Sequence, residues 1–481
     1  VHLGRLVFAV AASAAMLSAQ VAAAPAAKVE GELPAGLRAA IVAAVGEAER
    51  PAQTRFEARR RARDAAEDAI AALRSEGFYA YDVEPDVAGG ETEGQAPEPL
   101  IRITSGPQFA IRHPTIVWID PAPDAEAAKA GVAAIGLTEG QPGRAGEVIA
   151  AEGRIVAAEQ QRGYADAAAD TREVVVDHAD NSVSPAFRIH TGALVKLDGV
   201  ELTTNGRTHP AWVRRLAPWK EGDVYDPNDV AELERRLLDA GVFDSVTVAL
   251  APIEKITPGG LRPVVVSLAE RKRRTIEVGA SYATTEGAGL DLRWTRYNFL
   301  GRADTTSLFA RVSDLDSRTG VEVSLPHWRR PDQTLKGSAQ GYRVRTDAYD
   351  ETGVGVQLDV QRRFTKTSYL TVGASADVSQ TQEINGRTLQ QLDRDLVSFG
   401  LLGDAALDRS DDPLDPKRGW RLNVRGEPTV IFGRQANVPY LKVTAQGTYY
   451  QPLTKSAGTV LAGRLKLGSI LNGGIPQIPA S

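Results

Sequence analysis

From Thr275 onward the chain alternates apolar and polar residues with a period of two. Ile276, Val278, Ala280 and Tyr282 alternate with Glu277, Gly279 and Ser281. Val354, Val356, Leu358 and Val360 alternate with Gly355, Gln357, Asp359 and Gln361, and the same pattern recurs at Leu370 to Val378 and at Trp420 to Val424. Successive side chains on a strand point to opposite faces, so the pattern predicts strands with one apolar and one polar face. Before Arg271-Lys272-Arg273-Arg274 a different pattern appears three times: a helix-like run, a Gly followed closely by an aromatic residue, then a strand. The copies are Ala65 to Val83, Ala150 to Ala165 and Val230 to Val248.

The marker residues of these copies are Gly77 with Phe78, Gly163 with Tyr164, and Gly241 with Phe243; the glycines stand 86 and 78 residues apart. A strand running into Gly repeats in step, at Ile101 to Gly106 and at Phe187 to Gly192, again 86 residues apart. Two independent markers sharing one period indicate repeated modules. In the third copy Asp226 is placed to cap a helix and Pro227 suits its first turn. Val230, Leu233 and Leu237 share one face, and Gly241 supplies the positive φ that ends the helix. The aromatic beyond each Gly is expected to fold back onto the helix. Each module reads as strand, two helices and a strand pair; the opening strand of the first, near Val29, is poorly defined.

Val1 to Ala27 begins with Arg5, continues as an apolar run from Leu6 to Leu17 and ends in small residues. It reads as a secretory signal peptide with cleavage near Ala24 to Ala27, rather than as an anchor. No later stretch approaches the roughly 18 apolar residues of a spanning helix, so any membrane crossing must use strands. The alternating region then reads as a barrel embedded in an outer membrane. A soluble sandwich is the alternative, disfavoured by linkers of uneven length, short near Thr365-Lys366 and long near Glu383 to Gln391. Aromatics toward strand ends (Trp294, Tyr297, Phe299, Trp328, Tyr369, Trp420, Tyr440, Tyr449) read as interfacial girdles.

Composition narrows the function. The chain has 481 residues, 56 Lys+Arg against 61 Asp+Glu, and no cysteine. The charge balance leaves no nucleic-acid footprint, and the absence of cysteine excludes disulfides and thiolate metal sites. Six scattered His residues form no His-Glu-x-x-His pair and no G-x-S-x-G elbow occurs. No enzyme, metal or cofactor is expected. The basic run Arg271 to Arg274 reads as a solvated junction, with a lipid or partner contact as the lesser reading.

The modules resemble the POTRA domain, the periplasmic β-α-α-β-β repeat of outer-membrane assembly and secretion proteins. The resemblance is carried best by the third copy, in Trp219 to Tyr225, Gly241-Val242-Phe243 and Val264 to Glu270. Three such modules before a barrel resemble the BamA/TamA-type outer-membrane protein assembly superfamily, and within it the TamA-type translocation and assembly members. Asp411 to Trp420, a D-P-x-x-P-x-R-G-W-like turn, adds to the likeness. The resemblance implies the following organisation: signal peptide 1–27, modules 28–105, 106–190 and 191–271, and barrel 272–481. The fold class is therefore α+β POTRA repeats followed by an all-β antiparallel transmembrane barrel.

Thr275 to Ser481 spans 207 positions, enough for about eleven strands at roughly 18 to 20 residues each. The family pattern calls for sixteen and for an R-G-F/Y loop motif. With the loop-like ending Gly473 to Ser481, truncation is expected. The resemblance also implies function: unfolded outer-membrane protein substrates, autotransporter-like barrels among them, would be received in the periplasm and inserted at a lateral seam. That seam would be the first barrel strand, Thr275, Ile276, Glu277, Val278, Gly279, Ala280, Ser281 and Tyr282, where Gly279 weakens pairing. A TamB-type periplasm-spanning partner would contact the first module. The rival reading is a transport pore of the two-partner secretion or porin type.

Overall fold

The computed structural model describes residues 24–89, 96–283, 287–346, 349–384, 391–433, 437–454 and 458–472. The expected leader up to residue 23, the connection at 385–390 and the ending 473–481 lie outside them. Two compact units meet at Leu194 and Val195.

The first unit holds two modules. Module 1 runs strand Lys28–Glu30, helices Ala35–Val45 and Arg55–Ser75, then strands Asp82–Ala88 and Glu98–Thr104. Its last strand is central, parallel to the first and antiparallel to the fourth element's strand. The faint opening strand exists because Val29 pairs with Ile101, although it is only 3 residues long. The long helix starts where the Thr54 hydroxyl accepts the Glu57 N–H. It lays Ala58, Ala62, Ala65, Ala69 and Ala72 with Leu73 on the core. Ala24–Pro25 pairs with Glu47–Ala48 and Ala27 is buried. The last residues of the expected 1–27 segment thus pack on module 1.

Module 2 repeats the order with strand Thr115–Ile119, helices Ala125–Ala134 and Ala145–Gln161, and strands Glu173–Asp177 and Ser182–His190. Module 3 opens the second unit with strand Lys196–Leu202, helices Pro210–Leu216 and Pro227–Asp239, and strands Phe243–Leu250 and Leu261–Glu270. In each, the closing strand is again central, parallel to the first and antiparallel to the second. Asp226 caps the last helix by accepting the Asn228 N–H, and Val230, Leu233 and Leu237 face the core. The three marker glycines adopt φ of 87°, 100° and 73°. This left-handed turn reverses the chain off the helix at little cost only for glycine. The aromatics Phe78, Tyr164 and Phe243 that follow are all buried.

Eleven strands follow: β1 (Arg274–Ala283), β2 (Gly287–Tyr297), β3 (Thr305–Ser313), β4 (Asp316–Leu325), β5 (Gln333–Arg345), β6 (Tyr349–Arg363), β7 (Tyr369–Ile384), β8 (Gln391–Asp408), β9 (Gly419–Gly433), β10 (Asn437–Pro452) and β11 (Val460–Leu471). Each pairs antiparallel with the next, and among the described residues the sheet is open between β11 and β1. Its outer face leaves Ile276, Leu290, Val312, Val356, Leu401 and Leu467 at least half exposed. A sandwich would cover that face with a second sheet, whereas a bilayer needs it bare.

Girdle aromatics behave unequally. Trp420 and Tyr449 pair across β9 and β10 on the outer face. Tyr297 instead packs against the core of module 3, and the Tyr369 hydroxyl faces Asp404, because their positions in the two-residue alternation point them inward. The loop before β9 is closed by its own acids: Asp411 accepts N–H groups of Lys417 and Arg418, and Asp412 those of Leu414 and Asp415.

Candidate functional site

The expected seam strand β1 pairs residue for residue with β2, Thr275 with Thr295 and Gly279 with Asp291. Its other edge has no strand partner among the described residues, so a row of backbone N–H and C=O groups faces outward. Ile276, Val278 and Tyr282 on the apolar face are 70%, 70% and 79% exposed. Glu277, Gly279 and Ser281 occupy the polar face. A Cβ at Gly279 would meet only the Asp291 Cβ at 3.7 Å. Space does not require this glycine; its consequence is a strand that loses more entropy on pairing.

The root of β1 is held firmly. Glu270, the last residue of module 3's closing strand, accepts from Arg207 Nε at 2.8 Å, and from the Thr208 N–H and hydroxyl at 2.8 and 2.7 Å. The Asn298 amide adds a fourth donor at 3.2 Å. Arg207 also donates to the carbonyls of Tyr297 and Arg271, clamping the base of the β1–β2 pair, where β1 begins and β2 ends, to the module. Burial works against the Glu270 charge, yet the Thr208 hydroxyl and the Arg207 guanidinium outweigh it and hold the carboxyl below its ordinary range. The turn between β2 and β3 continues the anchor. Asn298 and Ala303 are fully buried, and Ala303 joins module 3's core.

A second turn, between β4 and β5, receives helix Pro227–Asp239. Asp332 takes Arg235 at 3.0 Å and Arg236 at 3.6 Å, while Glu232 bridges the two arginines from the helix at 2.7 and 2.9 Å. Arg363 at the end of β6 reaches Asp239 at 3.1 Å. Arg235 hydrogen-bonds Glu232, holding its carboxyl below the usual range. His327 in the same turn is buried. Its Nδ1 accepts the Asp332 N–H at 3.0 Å, so Nε2 carries the proton toward the Arg236 carbonyl at 2.8 Å. Burial depresses its pKa, consistent with a neutral ring. Asp332→Asn should leave both guanidiniums short of an anion; with the side chains partly exposed, about 1 kcal/mol is expected. Hydrogen exchange of amides 326–332 should then accelerate several-fold.

These junction residues escaped the sequence reading. His327, one of the six scattered histidines, is tucked by the turn under Trp212, with ring centroids 6.1 Å apart. The stripe Glu232, Arg235, Arg236, Asp239 at helical spacing was its one available signal, and such stripes usually face water. The basic run Arg271 to Arg274 is exposed, with Arg271 pairing Asp244 at 3.3 Å.

The inner face of the sheet is a polar network. Arg293 meets Glu322 at 2.7 Å, Arg311 meets Asp291 at 2.8 Å, and the Tyr342 hydroxyl donates to Asp377 at 2.9 Å. Among the described residues, no three His, Asp or Glu side chains gather in a metal-binding cluster.

Comparison with known proteins agrees with this architecture. Residues 298–481 match the Omp85 superfamily domain, and residues 195–271 match POTRA, the surface antigen variable number repeat. The outer membrane protein assembly factor BamA of Neisseria meningitidis serogroup B is 21% identical over 316 residues, covering 59% of this chain and 38% of that protein. BamA of Neorickettsia risticii is 24% identical over 144 residues, covering 30% and 19%. The chain thus spans well under half the length of these curated relatives. The crystal structure of BamA from Haemophilus ducreyi lacking POTRA domains 1-3 superposes with a TM-score of 0.61 at 17% identity, covering 76% of this chain and 71% of that one. That likeness is one of fold.

Proposed function

We propose that this chain, a BamA/TamA-superfamily outer-membrane protein whose Omp85 barrel domain follows periplasmic POTRA modules, assembles other proteins into the outer membrane. The modules receive an unfolded substrate. Its strands then pair with the exposed backbone of β1 at a lateral seam and enter the bilayer there. The observation that carries this reading is the combination at β1: one edge unpaired among the described residues, a bare apolar face, and a root clamped through Arg207 and Glu270. A strand held at its base but free along its edge can template a neighbour without leaving the sheet.

The three-module arrangement favours TamA-type work within this reading, with autotransporter-like barrels as substrates and a TamB-type periplasm-spanning partner at module 1. The chain has no cysteine, so single-cysteine variants from Thr275 to Tyr282 report unambiguously. Crosslinks to nascent barrel strands are expected along the whole edge. A folded barrel that gives none would refute the seam. The polar inner face also suits a transport pore. Strong conductance with no acceleration of substrate folding into bilayers would favour that reading instead.

A further inference from the structure

Helix Arg55–Ser75 of module 1 buries its alanine face and turns the opposite one to solvent. At about 100° per residue, Phe56, Arg59, Arg60 and Arg63 fall within an arc of about 100° on that outer face. All four are exposed, Phe56 to 80%. Among the described residues Arg59, Arg60 and Arg63 have no ion-pair or hydrogen-bond partner. Arg61 on the flank differs, bonding Glu57 at 2.6 Å and the Arg50 carbonyl at 2.7 Å. Like charges three and four residues apart repel along a helix. A phenyl ring left in water forgoes the stabilisation of burial. Neither feature helps the free module, and an apolar, negatively charged partner relieves both.

We propose that this face docks an acidic segment of a partner polypeptide, one that also brings an apolar side chain to Phe56. Guanidinium forks match carboxylates two bonds at a time. The helix itself argues against a bilayer as the occupant. Glu67 lies on the same arc one turn beyond Arg63, with Asp64 beside it, and both are exposed. A flat anionic surface reaching the three arginines would meet these carboxylates well within the Debye length of about 8 Å. A narrow peptide chain can stop short of them. The inference concerns module 1 alone, so it can fail while the barrel-assembly reading stands, and the reverse.

The full chain, held in nanodiscs of neutral lipid, would be titrated with a fluorescein-labelled decapeptide alternating Glu and Leu. Salt-sensitive binding is expected, weakened about tenfold in the R59Q/R60Q/R63Q variant and several-fold in Phe56→Ala. A Lys and Leu peptide should bind only R59E/R60E/R63E, which shows that the reversed variant is folded and that charge decides. Equal binding of the acidic peptide by wild type and the Gln variant would overturn the proposal. So would wild-type binding to phosphatidylglycerol vesicles, or arginine-dependent dimerisation, without any binding of the peptide.

Discussion

Replacing Glu270 with alanine is expected to destabilise the junction of module 3 and the barrel by about 3 kcal/mol, the scale for removing one partner of a mostly buried ion pair. The carboxylate is only 12% exposed and serves Arg207, Thr208 and Asn298 at once. Without it the guanidinium and hydroxyl lose their acceptor inside a packed junction. Glu270→Gln should cost less, because an amide oxygen can still accept from Thr208 while its NH₂ cannot accept from Arg207. Hydrogen exchange of amides 204–209 and 298–304 in the full chain reads the effect, and an alanine variant as protected as wild type would contradict it. Because the Glu270 carboxyl titrates below its ordinary value, its contribution is complete above the normal carboxylate range. It is lost as pH falls through the lowered value. If the proposed seam operates, crosslinking of substrate strands to β1 should drop with the anchor, since β1 would then be free at its root as well as its edge.

The stability of module 2 should fall as pH rises from about 4.5 to about 7, by roughly 3 kcal/mol in total. Glu159 is the cause. It lies fully buried on helix Ala145–Gln161, and neither carboxyl oxygen has a hydrogen-bond partner. Gly131 on helix Ala125–Ala134 makes room for it: a Cβ there would sit 2.6 Å from the Glu159 Oε1 and 2.8 Å from the Trp118 ring. Burial, helped by the charge of Asp124 and opposed by Arg162, pushes the Glu159 pKa up to about 7. The folded state therefore holds a proton that the unfolded state releases near 4.5, so folding weakens with rising pH and levels off above about 7. Glu159→Gln should flatten this profile between pH 5 and 8.5. Exchange protection of residues 125–134 and 145–161, corrected for intrinsic rates, measures it. A wild-type profile already flat would remove Glu159 from the account.

Local chemistry made much of the fold legible. Asp226, Pro227 and Gly241 bound a helix through interactions within a few residues, and the structure starts and stops it there. Two-residue alternation likewise depends only on strand geometry, so the strands around Ile276, Val354, Leu370 and Trp420 could be read directly. Val29 was harder, because a strand of 3 residues is too short to show a period and forms only because Ile101 is beside it. The candidate site divides the same way. The Thr275 to Tyr282 segment was readable as a strand with a weakening glycine. Its clamp was not, because Arg207, Glu270 and Asn298 are separated by up to 91 positions and come together only through packing.

The sequence by itself determined the repeated modules, the change to strand periodicity after Arg274, and the two-faced character of the strands around Ile276, Val354, Leu370 and Trp420, since each depends on neighbours a few residues apart. Only the tertiary structure decided which charges are spent on holding the molecule together. Glu232, Arg235, Arg236 and Asp239 look like an ordinary solvated stripe, yet they meet Asp332 and Arg363 from distant turns. Arg59, Arg60 and Arg63 look much the same along the chain and meet nothing among the described residues. The physical reason is that an ion pair's value depends on burial and on a partner brought close by the fold, and neither is written in the spacing of the residues that form it.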